Sequence, residues 1–262
     1  MKFNTLNIAL SAIIMVLSLG LVSVSFADNS FAKMKHSGEM KVGFCAQYPP
    51  FESINENTGQ FEGFDVDLGN ALAKEMGVKA KFIDAEWQGL LAGLHKGDYD
   101  MLISCMSKSE TRGKNVSFSD VYYELPDVIV VRKDDMTINN KEDLKGKVVG
   151  VQVGFGSEQL ADSMEDVFSE IKRYNYNPEA FTDLKFKRID AILVGYAYVV
   201  QQDKKDTFYR VVETPLAHAE IVIVLPKNAQ LLTTQVNNAL KEIKSNGAYD
   251  QAYNSWLRVE QQ

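Results

Sequence analysis

GFDVDLGNALAKEMG, residues 63–77, is the stretch that decides how this chain folds. Val66, Leu68, Ala71, Leu72 and Met76 recur near a helical spacing, which predicts a helix with one apolar stripe. Asp65 and Asp67 fall in its first turn, where carboxylates oppose the positive end of the helix dipole, and Gly77 supplies the stop. Apolar runs stand on both sides: MKVGFCA at 40–46 before it and a strand over 78–85 after it. A short helix is expected around 90–95, then the Gly97-Asp98-Tyr99-Asp100 turn and a third strand opening at Met101. Strand, helix, strand, helix, strand implies a parallel sheet with helices on its faces.

Working outward, the third strand runs into LISCMSKSETR, residues 102–112. Its apolar start passes through small polar groups at Ser104, Cys105 and Ser107, and Glu110, Thr111 and Arg112 enter a helical turn. A strand, a hydroxyl-lined turn and an arginine one turn on suit a carboxylate: N–H groups and hydroxyls meet the oxygens and a guanidinium grips them in a fork. The competing reading is an ordinary strand-to-helix loop with a capping serine and a solvated arginine. Upstream, Gln47-Tyr48-Pro49-Pro50-Phe51 reads as a rigid turn carrying two aromatics, followed by a polar hairpin-like loop at 55–60.

Downstream, a strand at 128–132 leads through a charged, helix-poor connector at 133–147 into a second α/β run. The spacing predicts a strand at 148–153 ending in Gly154-Phe155-Gly156-Ser157, a helix at 158–165, a strand at 171–174 and a helix at 178–187. A strand at 189–194, a helix at 196–202 and separate strands at 208–212 and 221–225 follow. Amphipathic helices at 230–245 and 249–257 end the chain.

The N-terminus bears on the compartment. Lys2 is the only charge before Asp28, an apolar segment fills 8–24, and Ser25 and Ala27 hold the small-residue positions of a cleavage site. Residues 1–27 therefore read as a secretory signal peptide, with an uncleaved membrane anchor as the competing reading. Asp28 at the position after the cut argues against lipid attachment there. With 28 Lys and Arg against 35 Asp and Glu the net charge is −7, which argues against nucleic acid and anionic membrane surfaces as partners. Cys45 and Cys105 alone make no disulfide scaffold, and whether they bridge stays open. His36, His95 and His218 lie far apart, so neither a bound metal nor another cofactor is implied.

The run at 63–77 resembles the signature of the periplasmic amino-acid-binding proteins that serve ABC importers, bacterial solute-binding protein family 3. YPPFE (48–52), SCMSKSETR (104–112), FSDVYY (118–123), DLKGKVVGVQVG (143–154) and RIDA (188–191) follow in family order, so the resemblance covers 40 to about 256. It implies a two-lobed α/β periplasmic-binding-protein fold, each lobe a mainly parallel sheet flanked by helices, joined by two crossing strands. Lobe one is expected at 40–125 plus 221–262, lobe two at 132–216, and the hinge crossings at 126–131 and 217–221. The ligand shuts between the lobes.

The resemblance also assigns roles. Arg112 would pair with the ligand α-carboxylate, Ser107 and the Ser104 backbone would add hydrogen bonds, and Cys105 sits where the family often has a hydroxyl. Tyr48 and Trp87 would sandwich the ligand, although Trp87 reads equally well as a core residue opening a helix. Phe155, Gly156 and Ser157 would offer N–H groups from a helix N-terminus, in a turn where the family commonly has threonine. The family's usual aspartate for the α-ammonium falls at Gly195, and Ile192-Leu193-Val194-Gly195 contains no acid. A ligand with an altered, alkylated or absent amine answers that gap; so would another acid, such as Glu52 or Glu124, or an aromatic cage of Tyr48, Trp87 and Phe155.

The function implied is a periplasmic, non-enzymatic and monomeric receptor that hands a small carboxylate or amino acid to an ABC permease in the inner membrane. One rival is a sensory protein acting on a signalling partner. Another is a cyclohexadienyl dehydratase-like enzyme, but where those enzymes carry a glutamate this chain has Tyr198.

Overall fold

The computed structural model describes residues 29–203 and 208–258, so the signal-peptide reading of 1–27 lies outside the described residues. A short helix, α1 (Ser30–Ser37), precedes β1 (Glu39–Phe44). A three-stranded hairpin sheet follows, β2 (Gln47–Tyr48), β3 (Glu52–Ile54) and β4 (Phe61–Glu62). Next come α2 (Phe64–Glu75), β5 (Lys79–Asp84), α3 (Leu90–Lys96), β6 (Met101–Leu102) and α4 (Glu110–Gly113). β1 runs parallel to β5 on one side and β6 on the other, with Val42 opposite both Phe82 and Met101. This is the parallel arrangement that the 63–77 pattern predicts.

That helix forms for the reason its spacing gives. Phe64, Val66, Leu68, Leu72 and Ala73 are buried on one face, and Gly69 lets the ring of Phe82 from β5 lie against the helix backbone. Asp65 departs from the expectation: it is fully buried, and it serves the site rather than the dipole alone.

The second half has the same logic. β8 (Val148–Gln152) lies between β9 (Glu170–Tyr174) and β10 (Ala191–Gly195), parallel to both. α5 (Gly156–Ser163), α6 (Asn177–Lys185) and α7 (Tyr196–Asp203) alternate with these strands. Two long strands join the halves: β7 (Val116–Arg132) and β11 (Tyr209–Pro226), paired antiparallel over most of their length. β11 also borders β6, and β7 also borders β10, so one eight-stranded sheet runs β5-β1-β6-β11-β7-β10-β8-β9. The chain ends with α8 (Gln230–Ser245) and α9 (Ala248–Trp256), which pack on α2.

The architecture is thus two α/β lobes joined by two crossing strands. The crossings are longer than the apolar runs suggest. The strands expected at 208–212 and 221–225 are one strand, with an irregular register between Val212 and Ala217. β7 begins well before 128 because its first half mixes buried and exposed positions, and pairing with β11 rather than an apolar run holds it extended.

Candidate functional site

The residues singled out in the sequence converge where the two halves meet, at the carboxyl ends of the parallel strands, the usual place for ligands in open α/β sheets. On the first side, β6 ends in a turn with a buried polar floor. Ser104 donates to Glu52 Oε1 (2.8 Å) and accepts from the Cys45 N–H (3.0 Å), so its hydroxyl points inward. Cys105 takes a left-handed φ of 43°, and its N–H donates to Asp65 Oδ2 at 2.6 Å. Tyr122 donates to the same carboxylate at 2.9 Å. Burial raises Glu52 well above the usual carboxylate range and Asp65 to about 6, and each is sealed beneath the turn. Glu52 accepts from Ser104 through Oε1, while its Oε2 is buried without a hydrogen-bond partner among the described residues.

Both cysteines are free and buried. Burial, together with the charge of Glu52, raises the Cys45 thiol to about 12; burial and the charge of Asp65 push Cys105 up as well, so neither is a reactive thiolate.

Arg112 stands on α4, which Ser109 caps by accepting from the Arg112 N–H. Its guanidinium donates to the Ser107 carbonyl (2.8 Å) and hydroxyl (3.2 Å) and to the Gly154 carbonyl on the opposite half. All of these acceptors are neutral. No carboxylate bonds to Arg112 among the described residues, and burial lowers its pKa although Glu158 acts in the other direction.

The aromatic residues form a ladder across the gap. Phe155 lies between Trp87 (ring centroids 4.4 Å) and Tyr48 (4.7 Å), and Tyr48 stacks in turn on Tyr198 (4.9 Å). Trp87 Nε1 donates to the Val153 carbonyl at 2.9 Å. Trp87 is buried, and it is buried against the other half of the molecule. Between Tyr48 and Trp87, where the resemblance puts the ligand, stands the protein's own Phe155 ring.

On the second side, the turn after β8 is partly spent. The Gly154 N–H donates to Glu158 Oε2 (2.6 Å) and the Phe155 N–H to the Gln152 carbonyl (3.3 Å). Gly156 and buried Ser157 open α5. A Cβ on Gly156 would lie 2.7 Å from the Ala219 Cβ, so only glycine allows this turn to approach β11 so closely. Gln159 from the same helix donates to the Ser107 hydroxyl at 3.2 Å.

Gly195 closes the list. A Cβ there would stand 2.6 Å from Leu125 Cδ2 and 2.8 Å from the Tyr48 hydroxyl, so there is no room for the aspartate that the resemblance leads one to expect. Of the two substitute acids that the sequence offers, Glu52 lies sealed beneath the β6 turn with one oxygen on Ser104, and Glu124 faces solvent. The acid that does lie in the cleft is Asp127, which the sequence reading passed over. It sits on β7 directly opposite Gly195, is 3% exposed, and burial raises it to about 7. An acid opening an otherwise apolar run, Asp127 before Val128 to Val131, was the available signal.

The roomiest cavity described, about 530 Å³, is a groove between α2 and α9 at Asp67, Lys74 and Gln251, and it shares no residue with the cleft. In the cleft, half-buried Arg112 and buried Asp127 have no charged partner among the described residues.

Residues 40–259 match the family model of bacterial extracellular solute-binding proteins, family 3, and the chain belongs to that family. It is 33% identical over 251 residues to ABC transporter arginine-binding protein 1 of Escherichia coli (strain K12), covering 93% of this chain and 98% of that protein. Identity to the L-cystine-binding protein TcyJ of the same organism is also 33%, over 243 residues, 91% of this chain and 90% of that protein. Among solved structures, the ancestral amino acid-binding protein AncCDT-1, a precursor of cyclohexadienyl dehydratase, superposes with a TM-score of 0.79 at 34% identity, covering 87% of this chain and all of that one. No helix among the described residues is long and apolar enough to cross a membrane.

Proposed function

We propose that this protein is the periplasmic receptor of an ABC importer, that it captures an amino acid or amino-acid-like carboxylate in the cleft, and that it passes this ligand unchanged to an inner-membrane permease. It works as a monomer exported by its first 27 residues. Residues 40–125 with 221–262 form one body and 132–216 the other. They hinge about 126–131 and 217–221, inside the paired crossing strands.

The observation that carries this reading is Arg112. A guanidinium drawn partly out of water is costly unless something anionic meets it, and here it meets only the neutral Ser107 and Gly154 oxygens and the face of Trp87. A ligand carboxylate would replace the Gly154 carbonyl with a charged acceptor, and a charge-assisted, two-pronged pair is stronger than the neutral contact it displaces. Closure then follows from the ligand touching both halves. The arginine and cystine specificity in the names of the relatives supports the same ligand class.

Titration calorimetry of the mature protein against L-arginine, L-cystine and L-glutamine tests the reading. Micromolar or tighter binding of one amino acid is expected. Absence of binding by any of them, or by a wider set of amino acids, would remove it.

A second reading draws on Asp127, because a cleft carboxyl raised to about 7 can hold a proton for acid catalysis. Conversion of prephenate or arogenate by the purified protein would replace the receptor with a dehydratase-like enzyme. Tyr198 weighs against this, being buried and stacked on Tyr48 rather than presenting an acid.

A further inference from the structure

Asp127 has no role in the fold that its surroundings explain. It is 3% exposed in the middle of a crossing strand, and among the described residues no hydrogen bond or ion pair reaches its carboxylate. The residues around it come from every neighbouring element and none is charged. Gly195 and Ala217 are its register partners on β10 and β11, Gly156 at the head of α5 lies beside its Oδ2, and Ser107 and Tyr48 come from the other half. Burial alone accounts for its raised pKa, with no cation pulling it down. Buried polar groups are almost always paired, and a carboxylate this far withdrawn from solvent with no partner in the protein is a costly exception. Such a group persists where a partner arrives from outside.

The position of Arg112 says what that partner looks like. The arginine reaches the Ser107 hydroxyl at 3.2 Å from one side. On the other side, a Cβ placed at Gly156 would be 3.7 Å from the Ser107 Cβ and 3.5 Å from Asp127 Oδ2. Arg112 bonds Ser107, and Ser107 and Asp127 both lie against Gly156, so the guanidinium and the carboxyl face one small region of the cleft with no ion pair between them. That arrangement is the electrostatic complement of a small zwitterion.

We propose that Asp127 holds the positive charge of the ligand while Arg112 holds its carboxylate. The assignment rests on the receptor reading above and narrows it: the ligand carries a cationic nitrogen, either the α-ammonium or a side-chain guanidinium or ammonium. It also makes the hinge strand itself part of the site, so that the cation is gripped where the two halves pivot.

Calorimetry on wild type and Asp127→Asn, with L-arginine, L-glutamine and L-cystine as probes, tests this. The amino acid that binds wild type should bind Asp127→Asn about 30-fold or more weakly, the loss expected for one charge-assisted contact. Its deaminated analogue, or for arginine the neutral-side-chain analogue citrulline, should bind both proteins alike; whichever does so identifies the nitrogen that Asp127 holds. In wild type at about pH 6, binding should release a proton from Asp127, read as a dependence of the enthalpy on the buffer's ionisation heat. This arm needs no variant to fold. Binding by Asp127→Asn within about threefold of wild type, or no proton release, would overturn the assignment while leaving the receptor reading intact. No binding of any probe to wild type would overturn both.

Discussion

The rings of Phe155 and Tyr48 stack with centroids 4.7 Å apart, although one comes from the turn after β8 and the other from the hairpin sheet of the opposite half. With Trp87 on its second face, Phe155 ties the halves together. Stacked pairs of this kind contribute about 0.5–1.5 kcal/mol each beyond their buried area. These contacts favour closure of the two halves, and a ligand that uses the aromatic faces has first to displace a side chain.

Phe155→Ala removes both stacks and should shift the unliganded protein toward an open form. Small-angle scattering checks this: the radius of gyration of the ligand-free variant should exceed that of ligand-free wild type and fall on adding saturating ligand. Equal radii for the two ligand-free proteins would mean that Phe155 does not hold the cleft shut.

Arg112→Ala should weaken amino-acid binding by roughly two to four decades, since stripping one partner from a buried charged pair costs about 3–5 kcal/mol. The ligand-free protein should also lose stability, because the guanidinium bonds to Ser107 and Gly154 across the cleft. About 1.5–3 kcal/mol is the range for a hydrogen bond from a charged group. Arg112→Lys should recover part of the affinity but not the two-pronged geometry. Calorimetry showing Arg112→Ala within about threefold of wild type would move the carboxylate site elsewhere.

The alternation of apolar runs and amphipathic helices made the two α/β halves legible, because each strand and helix carries its own period. The length of β7 and β11 was not legible. Ser117, Ser119 and Asp120 break any apolar pattern, and only the pairing across the two strands reveals them as one ladder. Arg112, Ser107, Tyr48 and Trp87 could be picked out because their residue types suit a carboxylate and a flat ligand. Their neighbours in space could not. That Phe155 would enter the sandwich, that Ser104 would turn toward Glu52, and that Tyr48 would take the space beside Gly195 all depend on how two distant segments meet. Asp127 was overlooked for the same reason: in sequence it heads an apolar strand, and only the cleft makes it a lone charge.

Stability of the ligand-free protein should fall as pH rises from about 4 to about 7. Asp127 and Asp65 are raised to about 7 and about 6, and Glu52 is raised well above the usual carboxylate range, in each case chiefly by burial. Over that window the folded state binds more protons than the unfolded one, so raising the pH favours unfolding. Asp127 alone contributes on the order of 3–4 kcal/mol at most. Below about pH 4 the sign reverses. Asp135, lowered by its Thr137 hydrogen bonds and Arg132 against the cost of burial, and Asp183, lowered by Arg188 and Tyr174, lose their partners' help there. Urea midpoints across the window check this, and Asp127→Asn should flatten the slope between about pH 5 and 7. A wild-type midpoint that rises over the same interval would contradict the burial of these carboxyls as the source of their raised pKa values.

Gly195→Ala places a methyl group 2.6 Å from Leu125 Cδ2 and 2.8 Å from the Tyr48 hydroxyl. Overpacking of this kind costs about 1–3 kcal/mol, because a close-packed interior yields only by moving side chains off their rotamers. Leu125→Ala alone removes a buried side chain and should cost about 2–5 kcal/mol. The two are in contact, so their effects should not add. In the double variant the new methyl group occupies part of the space that Leu125 vacates, and the total should fall short of the sum by about 1 kcal/mol or more. The Tyr48 hydroxyl remains in the way, so some of the Gly195→Ala cost should persist, and ligand affinity should drop with it as the Tyr48 ring shifts in the ladder. Chemical denaturation of the four proteins gives the cycle directly. Additivity within about 0.5 kcal/mol would mean that Leu125 does not fill the space at Gly195, and that the absence of an acid there has another cause.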